Sequence, residues 1–133
     1  MSQENLELVR RAFDAYNHGD LDAVLESFAP DAVVDWSNSR GLNARVYRGH
    51  ADIRRFAEEF LGTFAEVRVE FDEPTEVEDG LVLAENVAYI RGRDGIETQA
   101  RSAWLVTIRD GLQTSLTLYQ TKREALEAAG LSE

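Results

Sequence analysis

Between Gln3 and Asn17 the apolar residues Leu6, Val9, Phe13 and Tyr16 recur at steps of three and four. That spacing lays one apolar stripe along a helix. Ser2 is placed to cap its start, and Gly19 to end it in the left-handed conformation. Asp20 then caps a second helix over Leu21–Phe28, with Leu21, Val24, Leu25 and Phe28 on one face, and Pro30 stops it. Ala32–Trp36 reads as a short strand. Ser37–Arg48 shows no period and reads as a loop; irregular loops of about 12 residues are uncommon in compact domains and often functional. Helical spacing returns from Ala51 to Thr63, with Ile53, Phe56, Ala57, Phe60 and Leu61 as the buried stripe. Gly49 is placed as its N-cap, with Asp52 three residues on in the manner of a capping box.

From Val67 the period changes to two. Val67, Val69 and Phe71 alternate with Arg68, Glu70 and Asp72, the pattern of a half-buried strand, and Pro74 marks a bulge or an edge. Asp79-Gly80, Asp94-Gly95 and Asp110-Gly111 are hairpin signals that separate Leu81–Arg91, Ile96–Ile108 and Leu112–Thr121. Together they predict an antiparallel meander of four long strands beside one short strand, closed by a helix over Lys122–Ala129 that Gly130 ends. Helices first and an antiparallel sheet last is an α+β order. Strands of this length bend, so the expected shape is a cone-shaped bent sheet packed on the N-terminal helices, with a small-molecule cavity between the layers. Leu105 lies in the opposite phase from Trp104 and Val106. The outer sheet face is therefore also partly apolar and suits a second copy of the chain, a two-fold homodimer.

Composition narrows the partners. The 133 residues predict one domain, and hydrophobic residues at 44% with charged residues at 29% match a globular protein. No cysteine is present, which excludes disulfides, thiolate metal sites and a cysteine nucleophile. The net charge of -11 repels phosphate backbones and anionic headgroups, so neither nucleic acid nor a membrane surface is an expected partner. Six charged side chains within the first twenty residues, and no long apolar run anywhere, predict no secretory signal, no membrane span and a cytoplasmic location. With two histidines and no His-x-x-x-His pair, no metal and no cofactor are expected.

Short motifs add a family. Val9-Arg10-Arg11-Ala12-Phe13, Asn17-His18-Gly19-Asp20-Leu21 and Phe28-Ala29-Pro30-Asp31-Ala32 resemble the opening of SnoaL-like proteins. Tyr47-Arg48-Gly49-His50-Ala51-Asp52-Ile53 resembles the start of their third helix. Arg109-Asp110-Gly111, and Tyr119 with Arg123-Glu124-Ala125-Leu126, resemble their last hairpin and tail. The resemblance extends over nearly the whole chain and implies the cystatin-like cone of the nuclear transport factor 2-like superfamily, which includes polyketide cyclases and ketosteroid isomerase. It implies no single reaction, because this scaffold hosts isomerases, cyclases, hydrolases, dehydratases and inactive proteins. Ketosteroid isomerase uses an Asp base with a Tyr and a protonated Asp around an oxyanion. The resemblance puts the Tyr position on Ala12, the protonated Asp on Ala103 or Trp104, and the base on Trp36 with Asp35 next to it. Steroid isomerisation is therefore not expected. The Arg-x-Asp of limonene epoxide hydrolases is broken at Arg101-Ser102-Ala103 in the same way.

Asp35 is the candidate base, at the end of a strand that opens into the long loop; a solvated strand-end carboxylate is its plainer reading. His50 is the other proton-transfer candidate, against a helix-boundary cap. Arg101 or Tyr119 is placed to stabilise developing negative charge. Arg91, Arg93 and Arg101, with Arg40, Arg45 and Arg48, form a local concentration of cations, or ordinary cross-strand partners of Glu85, Asp94 and Glu97. Phe13, Trp36, Tyr47, Phe56, Phe60, Tyr89, Ser102 and Trp104 are the expected ligand-binding walls. Two functions stay open: acid–base chemistry such as isomerisation, cyclisation or hydrolysis on an apolar carbonyl compound, or a non-catalytic carrier or dimeric interaction module.

Overall fold

The computed structural model describes residues 3–39 and 44–131. Ser2 and Arg40, expected as a cap and as one of the loop cations, lie outside the described residues. Helices α1 (Gln3–Asn17) and α2 (Leu21–Glu26) lead into β1 (Phe28–Asp35) and β2 (Val46–Arg48). Helix α3 (Gly49–Thr63) follows, then β3 (Glu66–Phe71), β4 (Thr75–Glu78), β5 (Leu81–Arg91), β6 (Glu97–Arg109), β7 (Leu112–Tyr119) and α4 (Lys122–Ala128). The seven strands form one sheet in the order β2-β1-β7-β6-β5-β3, with β4 pairing the other end of β5. This is the expected α+β order of helices and a bent, unclosed sheet.

Several expectations change. The second helix ends at Glu26 instead of Phe28, and Pro30 sits within β1 instead of before it. The Ser27 amide bonds to Val24 O, closing the last helical turn, and Phe28 already pairs with Gln113 across the sheet. The ring of Pro30 is compatible with extended backbone, so it begins a strand as readily as it ends a helix. Strand β1 also lies parallel to β7, through Val33–Asp35 against Ser115–Thr117, so the sheet is mixed. The loop after β1 contributes a strand of its own, β2. At the start of α3 the N-cap is Arg48, and its amide donates to the Asp52 carboxylate at 3.0 Å. Gly49 is the first helical residue.

The three Asp-Gly turns stand where the sequence puts them. Asp110 and Gly111 both have positive φ, at 52° and 76°, as a two-residue turn matched to strand twist requires. Strand alternation then divides the sheet. Ala84, Asn86, Ala88 and Ile90 of β5 and Ala100, Ser102, Trp104 and Val106 of β6 share the inner face, because β5 and β6 pair without a break from Leu81↔Thr107 to Arg91↔Glu97. On the outer face α4 packs Ala125 and Leu126 on Leu83, Ala103 and Leu105. The apolar patch that suggested a second copy is therefore covered in part by this chain's own last helix. Among the described residues no helix is long and apolar enough to cross a membrane.

Gly80 tests the hairpin geometry. Its φ is +78°, and a Cβ there would stand 2.9 Å from the Ile108 carbonyl oxygen, whereas Gly111 at +76° has open space. Both Gly→Ala changes carry the left-handed penalty of about 1–2 kcal/mol, and only Gly80→Ala adds a backbone clash. Urea denaturation at constant m-value should show Gly80→Ala as the more destabilised of the two.

Candidate functional site

Between the sheet and the helices lies a cavity of about 740 Å³. Each layer reaches it through its periodicity. Helix α1 contributes Ala12, Phe13 and Tyr16, and α3 contributes Ile53, Phe56, Ala57 and Phe60, the apolar stripe read from the sequence. Val34 and Trp36 come from β1 and the residue just after it, and Leu116, Leu118 and Gln120 from β7 and its end. Gln113 joins them out of phase because the β6–β7 register shifts between Thr107 and Ile108. A bulge re-aims a side chain in this way.

The walls are rings in contact. Phe13 stacks on Phe71 with centroids 3.5 Å apart, and Trp104 meets Phe13, Phe71 and Trp36 edge-on at 5.8, 5.2 and 5.2 Å. Trp36 continues to Phe56 at 5.3 Å, and Phe60 meets Phe64 at 5.3 Å. Such pairs add about 0.5–1.5 kcal/mol each beyond the area they bury. At one margin Gln120 donates to Asn38 O at 2.7 Å, and Asn38 donates to Leu118 O at 3.0 Å, which ties the segment after β1 to the end of β7.

Of the expected residues, Phe13, Trp36, Phe56, Phe60, Ser102, Trp104 and Arg101 border the cavity, Arg101 as an exposed residue at its rim. Five others do not. Asp35 alternates with Val34 and Trp36 and faces the other way, where its carboxylate accepts from the Ser37 amide at 3.0 Å and the Ser37 hydroxyl at 2.6 Å. Tyr119 alternates with Leu118 and Gln120 and packs on the outer-face cluster. Burial first, and then the Asp35 carboxylate, pushes its phenol above the usual value. The two therefore share the outer face and are not arranged around the cavity. His50 Nε2 lies 2.9 Å from Phe28 O, so that nitrogen carries the proton and pins α3 to β1. Tyr47 is buried behind the wall, stacked on Phe56 at 4.2 Å. Tyr89 lies on the outer face under the Arg68 guanidinium, 4.4 Å from its ring.

The cations disperse as well. Arg91 pairs with Glu66 at 2.8 Å, Arg93 donates to Gly62 O at 2.7 Å, and Arg45 lies over Tyr47 and pairs with Asp52 at 3.7 Å. No group of three or more His, Asp or Glu residues that could hold a metal occurs among the described residues.

Among the polar residues of the cavity that the sequence does not single out are Tyr16, Asn86 and Gln113. Tyr16 appears in the sequence only as part of an apolar stripe. Like any phenol it is a neutral O–H donor at neutral pH, and burial drives it far above the value of 10.0 from which it starts, so it holds its proton well into the alkaline range. Asn86 is 4% exposed, and Gln113 is 1% exposed. Gln113 Nε2 donates to Ser27 Oγ at 2.8 Å, while its Oε1 is buried without a hydrogen-bond partner. The period-two phase of β5 marks Asn86 as inner; nothing in the sequence marks the bulge that turns Gln113 inward.

Residues 9–116 match the sequence profile of the SnoaL-like domain. The chain belongs to the SnoaL-like family. No curated protein matches it closely. Solved structures of the same fold include TerC crystallised with polyporic acid, at 19% identity and TM-score 0.78, over 94% of this chain and 97% of that one. A Mycobacterium tuberculosis protein, RV0760c, in complex with estradiol-17β-hemisuccinate matches at 15% identity and TM-score 0.74, over 91% and 96%. A Sinorhizobium meliloti protein provisionally named a polyketide cyclase matches at 27% identity and TM-score 0.69, over 84% and 93%. Within this SnoaL-like cone the positions that the resemblance linked to isomerase chemistry are themselves informative. Ala12, Trp36 and Trp104 border the cavity, and Asp35 and Ala103 face away from it.

Two outcomes follow from the buried polar groups. Below the unfolded phenol's value of 10.0, both states keep the Tyr16 proton and this group adds no pH dependence. Above it the unfolded chain releases a proton that the folded chain holds, so stability falls with rising pH, by up to about 1.4 kcal/mol per pH unit. Chemical denaturation at stepped alkaline pH should show this fall, and Tyr16→Phe should make it shallower. Gln113→Leu removes one neutral hydrogen bond together with an unpaired acceptor. Since an unsatisfied buried group costs about 1–3 kcal/mol and a net bond contributes about 1, its melting temperature should equal or exceed that of the wild type.

Proposed function

We propose that the chain binds a neutral, mainly apolar ring compound in the cone cavity, residues 1–133 acting as one SnoaL-like domain. The observation that carries this is the composition of the wall. Phe13, Trp36, Phe56, Phe60, Phe64 and Trp104 supply aromatic surface, and the polar groups between them are hydroxyls and amides, with Arg101 at the rim. No carboxylate and no imidazole borders the cavity among the described residues. A charged ligand entering such a wall would lose hydration without a paired charge in return, whereas a neutral ring system gains apolar contact. Relatives of the same fold crystallised with small organic molecules support the reading.

The placement of Asp35 and His50 favours binding over proton transfer in the cavity. The Asp35 carboxylate is engaged by Ser37 on the opposite face, and His50 is engaged by the Phe28 carbonyl. If a ligand reacts in this cavity, the side chains that meet it are neutral donors such as Tyr16, which stabilise charge without taking a proton. A homodimer belongs to the same proposal, through the part of the outer face beyond α4, where Val33, Val87 and Tyr89 keep partial exposure.

Trp36 and Trp104 are the chain's two tryptophans and both border the cavity, so intrinsic fluorescence reports its occupancy. Titration with 9-fluorenone, a neutral three-ring ketone, should give saturable quenching. Ala88→Phe, which places a ring in the cavity, should weaken binding by about tenfold or more, equivalent to 1.4 kcal/mol or more. Asp35→Asn should leave affinity within about twofold, as expected for a group outside the contact. An absence of saturable quenching up to the solubility limit of the ketone would overturn the proposal.

A further inference from the structure

We infer that Asn86 is the specificity-determining residue of the cavity, its side-chain amide N–H donating to a carbonyl, quinone or ester oxygen of the bound ring compound. The inference rests on the reading of the cavity as a ring-binding site and names the chemistry which that site selects. Asn86 is 4% exposed and lies on the inner face of β5, between Ala84 and Ala88 and opposite Ser102 of β6. It is the one polar side chain among residues 84, 86, 88 and 90, the inner-face positions of that strand which surround it.

The direction of its hydrogen bonds follows from its neighbours. Trp104 Nε1 lies 3.1 Å from Ser102 Oγ, and an indole N–H can only donate, so the serine oxygen accepts. Ser102 has one hydrogen of its own, and the contact left for it is Asn86 Oδ1 at 3.1 Å. The asparagine must therefore present its carbonyl oxygen to Ser102 and turn its amino group away. One amino hydrogen goes to Ala84 O at 3.3 Å, and no described residue takes the other. Donation runs in a single sense, from Trp104 through Ser102 to Asn86, and each bond polarises the next. The relay ends in a neutral N–H on the wall of an aromatic cavity, where a ligand oxygen completes the pairing that a buried amide requires. Trp104 and Ser102 are positioning residues: they fix which end of the amide the ligand meets.

9-Fluorenone and fluorene share a ring skeleton and differ in the carbonyl. Their affinity ratio in the wild type, divided by the ratio in Asn86→Leu, cancels the difference in hydration between the two probes. The expected quotient is about tenfold in favour of the ketone. Infrared difference spectra should show the carbonyl stretch of bound fluorenone lowered in the wild type and returned toward its apolar-solvent value in Asn86→Leu. Ser102→Ala, which frees the amide to rotate, should lose part of that shift, and it serves as the reporter if Asn86→Leu does not fold. An unchanged affinity ratio with an unchanged carbonyl frequency in both variants would overturn the role of Asn86 while leaving the cavity a ring-binding site. If neither probe binds the wild type, the binding reading itself fails and this inference falls with it.

Discussion

Trp104 holds the layers together. Its ring lies edge-on to Phe13 of α1, Phe71 at the end of β3 and Trp36 just beyond β1, and its indole nitrogen donates along β6 to Ser102. These partners come from four parts of the chain that are far apart in sequence, and each depends on the others for its position. Edge-on contacts of this kind fix orientation as well as separation, because the ring quadrupole favours one approach over others. The same indole borders the cavity. The contact that joins helix to sheet is therefore also the wall a ligand meets.

Strand parity decides what that wall contains. β5 and β6 run paired over eleven successive positions without a bulge, so one phase faces in and the other faces out along the whole length. Inward, the phase gives Asn86, Ala88, Ser102 and Trp104; outward, it gives Val87, Tyr89 and Ala103, while the exposed Arg101 reaches the rim. A one-residue shift would exchange the two sets. The residues with the most obvious chemistry, Asp35, Tyr89 and Tyr119, all fall in the outward phase. The interior keeps groups that donate or accept a hydrogen bond without carrying charge.

The elements were legible in the sequence because their signals are local. Three Asp-Gly pairs mark three turns, and the stripes Val9–Phe13–Tyr16 and Ile53–Phe56–Phe60 mark the faces of two helices. Side chains inside continuous strands could also be sorted by phase, which is why Ser102 and Trp104 were recognised. What stayed hidden depends on register between strands. Nothing local to Phe28–Asp35 says that it lies parallel to β7, and nothing local to Gln113 says that a bulge turns it inward. Asp35 shows a related limit: a carboxylate at a strand end suggests chemistry, while the alternation Val34, Asp35, Trp36 assigns it the outer face. Tyr16 shows the opposite limit, because a tyrosine in an apolar stripe reads as packing until the surroundings of its hydroxyl are known.

A base at the end of β1 can reach the cavity only from the phase of Val34, and in this chain that position is Trp36. The indole stacks edge-on with Trp104 and tilts against Phe56, so it closes the path that a carboxylate would need. Placing charge there would also cost desolvation among rings that offer it no counter-charge. The aromatic wall and an inward-facing base are thus alternatives at one position, and the sequence holds the aromatic one. With Ala12 opening space on α1, and a neutral phenol one turn further along, the interior is consistent in its chemistry. It is apolar where rings can lie and neutral where hydrogen bonds can form. The negative charge of the chain stays on the outside, where water screens it.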